Sequence, residues 1–84
     1  MRSVTAGFLL YSRPGCGLCE EMLAELRALP AARGVSIDVA DVDADPATRK
    51  RFGQKIPVLL LGGDLVCYGR LDHEEVHKAL AALR

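Results

Sequence analysis

A chain of 84 residues has room for one domain with a thin core. Half of its residues are apolar, and its 11 basic residues balance 11 acidic ones, so the formal net charge is zero. This balance, with only two tyrosines, two phenylalanines and no tryptophan, argues against a nucleic-acid partner. Proteins that bind nucleic acids usually have basic patches or aromatic side chains on which bases stack. No stretch is long and apolar enough to predict a membrane span. We therefore expect one monomeric domain over residues 1–84, with neither nucleic acid nor membrane as partner.

The cysteines limit the kind of chemistry. The N-terminal residues lack the long apolar region and small-residue cleavage site of a signal peptide, so we expect the protein in the cytoplasm, where thiols are kept reduced. Three cysteines in that compartment do not indicate a disulfide scaffold. Two of them, Cys16 and Cys19, lie three residues apart, a spacing that indicates redox or metal chemistry.

The first half of the chain is predicted to form strand, helix and strand. Residues 7–11 are a short apolar run that ends in a Pro-Gly loop, which predicts a strand followed by a turn. The apolar residues that follow recur at helical spacing and consist of Leu18, Met22, Leu23, Leu26 and Leu29. Pro30 and Gly34 end this helix. The alternation over residues 35–39 predicts a second strand, parallel to the first and joined to it by a right-handed crossover.

The second half is predicted to form helix, two strands and helix. Asp45, followed by proline, predicts the start of a short helix that Gly53 ends. Residues 57–61 form an apolar run that predicts a buried strand, and a Gly-Gly turn leads into another strand over 65–68. Asp72 is the expected cap of the last helix. The core face of that helix is expected to consist of Val76, Ala79, Leu80 and Leu83. The resulting order of elements is βαβαββα.

The Cys-x-x-Cys pair lies where the first strand has ended and the first helix begins. Unpaired N–H groups and the dipole at a helix start stabilise an anion, so a cysteine there loses its proton more readily. Cys16, the more N-terminal, is the candidate nucleophile, and Cys19 lies one turn further on, where it can resolve a mixed disulfide. Arg13 is a further candidate, because a positive charge three residues before Cys16 favours its thiolate.

Other interpretations of these residues stay open. The two thiols could be unreactive, or they could be half of a zinc site, although Cys67, His73 and His77 do not complete a zinc-finger spacing. His73 and His77 also fit the H-E-x-x-H pattern of zinc proteases, but no third ligand follows them. We expect both histidines at the boundary of the core, Cys67 packed as a small apolar residue, and no metal site.

One more motif completes a resemblance to a known family. Lys55-Ile56-Pro57-Val58 places a proline at the first residue of an apolar strand. With the strand-loop-Cys-x-x-Cys-helix unit and the turn over residues 68–72, this Ile-Pro makes the chain resemble glutaredoxin-like proteins of the thioredoxin superfamily, in particular a short bacterial group. The resemblance spans residues 7–83. It implies an α/β thioredoxin fold, with a four-stranded mixed sheet flanked by three helices.

The resemblance also implies how substrate is held. By it, Pro57 follows a cis peptide bond and faces the cysteine pair, and the Ile56 backbone binds an incoming peptide or glutathione as an added strand. Gly69 and Arg70 stand where glutaredoxins have Gly-Gly, and Asp72 matches their aspartate, so all three are candidate substrate-binding residues alongside Arg13. Between the cysteines, this chain has Gly-Leu in place of the Pro-Tyr of glutaredoxins or the Gly-Pro of thioredoxins.

We therefore expect a thiol–disulfide oxidoreductase whose dithiol reduces protein disulfides or glutathione mixed disulfides. It needs no tightly bound cofactor, with glutathione as a candidate co-substrate, but it does need a reductant system to regenerate the dithiol. The alternative is a redox-inactive thioredoxin-fold module that recruits a protein partner or a thiol-bound metal, since fold alone does not establish activity. A monothiol reaction with glutathione, using Cys16 alone, is a third hypothesis.

Overall fold

The computed structural model describes residues 7–83 of the chain. In chain order the strands and helices are β1 (Phe8–Ser12), α1 (Gly17–Ala28), β2 (Ile37–Asp41), α2 (Pro46–Phe52), β3 (Val58–Leu61), β4 (Asp64–Tyr68) and α3 (His73–Ala81). Two 3-10 turns, Pro30–Ala32 and Val42–Ala44, lie before and after β2. The predicted order βαβαββα is confirmed.

The four strands form one mixed sheet in the order β2-β1-β3-β4. The central strand β1 pairs in parallel with β2 and antiparallel with β3, and β3 pairs antiparallel with β4. Because β1 and β2 are parallel, their carboxyl ends meet at one edge of the sheet, where binding and catalytic groups of α/β proteins commonly lie. The architecture is the α/β fold that the resemblance implied.

Apolar side chains are buried on both faces of the sheet. The larger cluster joins alternate residues of β1 and β3 to α1 and α3, and consists of Phe8, Leu10, Met22, Leu26, Ala32, Leu59, Leu61 and Val76. The smaller cluster involves the other residues of β3 and the α2 side, and consists of Val42, Phe52, Val58 and Leu60. Since both faces are covered, all four residues of β3 are buried, which explains its uninterrupted apolar run.

Two apolar residues at the predicted helical spacings are exposed, one in α1 and one after α3. The buried stripe of α1 is centred on Cys19, Met22 and Leu26, which are spaced three and four residues apart. At 3.6 residues per turn this leaves Leu18 at the edge of the stripe, and Leu18 is 52% exposed. The expected core position of Leu83 is also wrong, because α3 ends before it and its side chain is 49% exposed.

Side-chain caps determine where α2 and α3 begin. The Asp45 carboxylate accepts a hydrogen bond from the Ala47 N–H at 3.0 Å, and Pro46 occupies the first turn of α2. The Asp72 carboxylate accepts one from the Glu75 N–H at 3.1 Å. Both helices start where the sequence predicted, because each aspartate satisfies an N–H that has no partner within the helix.

Candidate functional site

A tight turn over residues 13–16 delivers the first cysteine to the start of α1. The Cys16 N–H donates to the Arg13 carbonyl at 3.1 Å across this turn. Pro14 occupies its second position and Gly15 its third, with a φ of +80°. Proline followed by a residue of positive φ is the pattern of a type II turn, and glycine adopts that conformation without a steric penalty. Cys16 consequently becomes the N-cap residue of α1.

The two cysteines occupy unequal environments. They are joined as a disulfide, with Cα atoms 5.2 Å apart. Cys16 is partly exposed, whereas Cys19 is buried with 2% of its surface accessible. The Cys19 N–H donates to the Cys16 sulfur at 3.2 Å, so a backbone donor at the helix start is directed at the outer sulfur. A thiolate formed there on reduction meets the positive end of the helix dipole.

The Ile56–Pro57 peptide bond is cis, as the resemblance implied. Pro57 is buried and Ile56 is half-buried against the smaller apolar cluster. The Pro57 carbonyl accepts a hydrogen bond from the Gly69 N–H at 2.8 Å. This bond ties the loop before β3 to the turn before α3, so two of the segments expected to bind substrate are held together.

A groove of about 160 Å³ lies between α1 and the turn that follows β4. Gly69 and Arg70 line one side of it, and Leu18 and Glu21 of the first turns of α1 line the other. The fold therefore brings two of the candidate substrate-binding residues next to the helix that carries the cysteines. The exposed side chain of Leu18 forms part of the wall of this groove.

Asp72, another candidate substrate-binding residue, has a structural role as the cap of α3. We expect Asp72→Ala to lower the free energy of unfolding by about 1 kcal/mol, because the Glu75 N–H loses its acceptor. Asp72→Asn keeps a capping oxygen and should stay close to the parent protein. Urea unfolding of both variants checks this, and an equal loss in the two would show that the charge of Asp72, not its cap, stabilises the helix.

Arg13 interacts with a carboxylate that sequence reasoning missed. Its guanidinium donates from Nε to Asp43 Oδ2 at 2.7 Å and from Nη2 to Asp43 Oδ1 at 2.9 Å. The hydrogen bond from Arg13 lowers the pKa of Asp43, and the same bond raises the pKa of Arg13. The charge of Arg13 is thus paired with Asp43, and its effect on the Cys16 thiolate stays a prediction. The two residues lie thirty apart in the chain, so no local pattern could have revealed the pair.

A second groove, of about 330 Å³, lies between α1 and the carboxyl ends of β1 and β2. Its walls include Cys19, Ser12, Arg13, Leu23 and Val39. Sequence reasoning gave no sign of this groove, because it forms only where the parallel strands and the helix meet.

The remaining candidates are the two histidines and the third cysteine. His73 and His77 are exposed, so their expected place at the core boundary is wrong; the His73 ring lies 3.5 Å from Glu25, and His77 Nδ1 lies 2.8 Å from the His73 carbonyl. Cys67 is half-buried against the larger cluster, and burial raises the pKa of its thiol.

Within residues 7–83, His, Cys, Asp and Glu side chains form no group of three or more that could hold a metal ion. None of the helices described there is long and apolar enough to cross a bilayer.

Comparison with known proteins places these features in a family. The model of the family described as "Glutaredoxin-like domain (DUF836)" matches residues 8–81. The uncharacterized protein Rv0508 of Mycobacterium tuberculosis is 30% identical over 77 residues, which cover 86% of this chain and 79% of the relative.

Solved structures share the fold of this chain. The solution structure of protein Ne2328 from Nitrosomonas europaea superposes with a TM-score of 0.79 at 26% identity, covering 93% of this chain and 94% of that one. The crystal structure of a mutant of the thioredoxin-like protein BC3987 superposes with a TM-score of 0.58 at 22% identity, covering 87% and 97%, which shows the shared fold. The chain has the α/β thioredoxin fold and belongs to the glutaredoxin-like family.

Proposed function

We propose that this protein is a thiol–disulfide oxidoreductase that reduces protein disulfides or glutathione mixed disulfides with its Cys16–Cys19 dithiol. The observation that carries the proposal is the asymmetry of the pair at the start of α1. The outer sulfur, on Cys16, is partly exposed and accepts the Cys19 N–H, whereas the inner sulfur is buried directly behind it. An accessible sulfur with a backbone donor suits attack on a substrate, and a second thiol one turn behind it is placed to resolve the intermediate.

The proposed reaction takes place in two exchange steps. The Cys16 thiolate attacks one sulfur of the substrate disulfide, so a mixed disulfide forms and the other substrate sulfur leaves as a thiolate. Cys19, deprotonated as it attacks, then displaces the second substrate sulfur from Cys16 and closes the intramolecular disulfide. The substrate gains two electrons and two protons in total, and the protein loses them. An external reductant restores the dithiol, with glutathione as one candidate, and no bound cofactor takes part.

The family resemblance suggests how a substrate is held. The Ile56 backbone, next to the cis proline, is the proposed edge for an extended peptide or for glutathione. Gly69 and Arg70, in the groove that Leu18 also lines, are the proposed contacts for the rest of the substrate. We place this reaction in the cytoplasm, where a regenerating reductant is present.

An equilibrium redox titration tests the proposal. The protein is equilibrated in glutathione buffers of graded potential, its thiols are trapped, and its intact mass is measured. We expect the loss of two hydrogens at one defined potential, in the parent protein and in Cys67→Ser alike, because Cys67 lies outside the couple. A glutathione adduct on Cys16 would identify glutathione as a co-substrate. Absence of any couple between about −320 and −180 mV would refute the proposal and favour a binding module.

A further inference from the structure

We propose that Arg13 is a positioning residue of the thiol site, which acts through its ion pair with Asp43 to hold the Cys16 turn against the 3-10 turn after β2. The inference rests on the proposed function, because it concerns the chemistry of the cysteine pair. It assigns no contact between the guanidinium and the thiolate or the substrate.

The pair has the geometry of a fixed link. Two parallel hydrogen bonds, of 2.7 and 2.9 Å, join the guanidinium of Arg13 to both carboxylate oxygens of Asp43. The two side chains are 40% and 35% exposed, so the link is partly shielded from water. A two-pronged pairing fixes orientation as well as distance, and the planar fork of arginine makes it where the single ammonium of lysine cannot.

Both ends of the link are anchored in the fold. At one end, the Arg13 carbonyl accepts the Cys16 N–H, so Arg13 is itself the first residue of the turn that carries the nucleophile. At the other end, Asp43 donates its own N–H to the Asp41 carboxylate at 2.8 Å. Asp43 also follows Val42, which is fully buried in the smaller apolar cluster. The ion pair therefore connects the turn that carries Cys16 to a segment held by the smaller apolar cluster.

The C-terminal end of α2 lies beside the Arg13–Asp43 ion pair. A methyl group added at Gly53 would lie 3.4 Å from Arg13 Nη2 and 2.5 Å from the Arg49 carbonyl. The contact with the guanidinium would be an ordinary one, whereas the contact with the Arg49 carbonyl would be a clash, so the end of α2 packs beside Arg13 and requires glycine for its own backbone. The charge of Arg49 also acts on this carboxylate, so the acid at the link faces two cations.

Holding the turn affects how often the two sulfurs meet. In the reduced protein, the Cys16 sulfur must stay over the start of α1 to receive the Cys19 N–H and to close the disulfide. A looser turn gives the dithiol more conformations than the closed disulfide has, which disfavours the disulfide. It also takes the Cys16 thiolate away from its backbone donor. Loss of this donor destabilises the thiolate form of the dithiol and on its own favours the disulfide, so the conformational effect is isolated at a pH below the alkylation midpoint, where the thiolate is not populated. Each effect keeps its direction whether Arg13 or Asp43 is changed.

The test compares Arg13→Lys, Arg13→Gln, Asp43→Asn and the double variant Arg13→Gln/Asp43→Asn. The measured quantities are the equilibrium constant of the Cys16–Cys19 disulfide against glutathione, taken at a pH below the alkylation midpoint, and the pH midpoint of Cys16 alkylation. We expect each single variant to lower that constant by about threefold, the scale of partly exposed ion pairs. This corresponds to a potential about 14 mV more oxidising for a two-electron couple. The alkylation midpoint should rise in all three single variants. In the double variant, the equilibrium constant and the midpoint should be changed by no more than in Arg13→Gln or Asp43→Asn alone.

Other results would overturn the inference. If the charge of Arg13 acted directly on the thiolate, Arg13→Lys would match the parent protein and Asp43→Asn would lower the alkylation midpoint. If the pair served stability alone, urea unfolding would change while the equilibrium constant and the midpoint did not. A parent protein without any couple would instead overturn the proposed function, so the two failures are distinguishable. If Arg13→Gln does not fold, the same two measurements on the more conservative variants Arg13→Lys and Asp43→Asn test the inference.

Discussion

Cys16→Ser is expected to abolish thiol–disulfide exchange, lowering its rate by at least roughly 10³-fold, because a serine hydroxyl does not replace the thiolate nucleophile. Cys19→Ser should keep the first step, since the partly exposed sulfur is retained, but the resolving thiol is gone. Its mixed disulfides should therefore accumulate. Reduction of a model protein disulfide measures the first effect, and intact mass of the reaction mixture measures the second.

Cys67→Ser is the matched control for both cysteine variants. Its thiol is half-buried and separate from the pair, so this substitution should leave the exchange rate close to that of the parent protein. Undiminished exchange in Cys16→Ser would contradict the assignment of the nucleophile. Retained removal of glutathione from a protein substrate by Cys19→Ser would instead identify the monothiol reaction, in which Cys16 works alone with glutathione.

The second large effect is expected in the core beneath the site. Leu26 of α1 is completely buried in the larger apolar cluster, and Leu26→Ala should lower the free energy of unfolding by about 2–5 kcal/mol through lost burial and the cavity left behind. The total free energy of unfolding of a protein is only about 5–15 kcal/mol, so a large part of the native stability depends on this one side chain. Urea unfolding followed by circular dichroism measures the loss.

Leu18→Ala, in the same helix, is the matched control for that measurement. The chemical change is identical, but Leu18 is 52% exposed, so we expect a loss of less than about 1 kcal/mol. The two variants should also differ in function, because Leu18 lines the groove between α1 and the Gly69-Arg70 turn. Equal destabilisation by the two substitutions would mean that the exposed and buried faces of α1 have been assigned incorrectly.

Local signals account for most of what could be predicted. The Asp45-Pro46 start of α2 and the Asp72 cap of α3 depend on groups within a few residues of each other, so sequence and structure agree on them. The Cys16-to-Cys19 spacing belongs to the same class, because one helical turn brings the two sulfurs together. The cis bond before Pro57 was expected from the family resemblance and is confirmed, whereas its contact with substrate remains a prediction.

Predictions that depended on which residues come into contact in the folded protein were less successful. Leu18 and Leu83 have apolar side chains at helical spacing, yet exposure depends on which face of a helix meets the sheet and on where the helix ends. The histidines were expected beside the core for the same reason, and both are exposed. Arg13 was related to Cys16 by its place three residues earlier in the chain, and its ion pair with Asp43, thirty residues away, was not predicted.

The sequence by itself determined the order of elements, the helix caps and the place of the cysteine pair at a helix start, because each depends on short-range periodicity or hydrogen bonding. Only the tertiary structure decided that Arg13 pairs with Asp43 and that the Gly69-Arg70 turn meets the first turns of α1. It also determined which apolar residues are covered. These features arise from the pairing of β1 with β2 and β3, which brings together segments that have no local reason to meet.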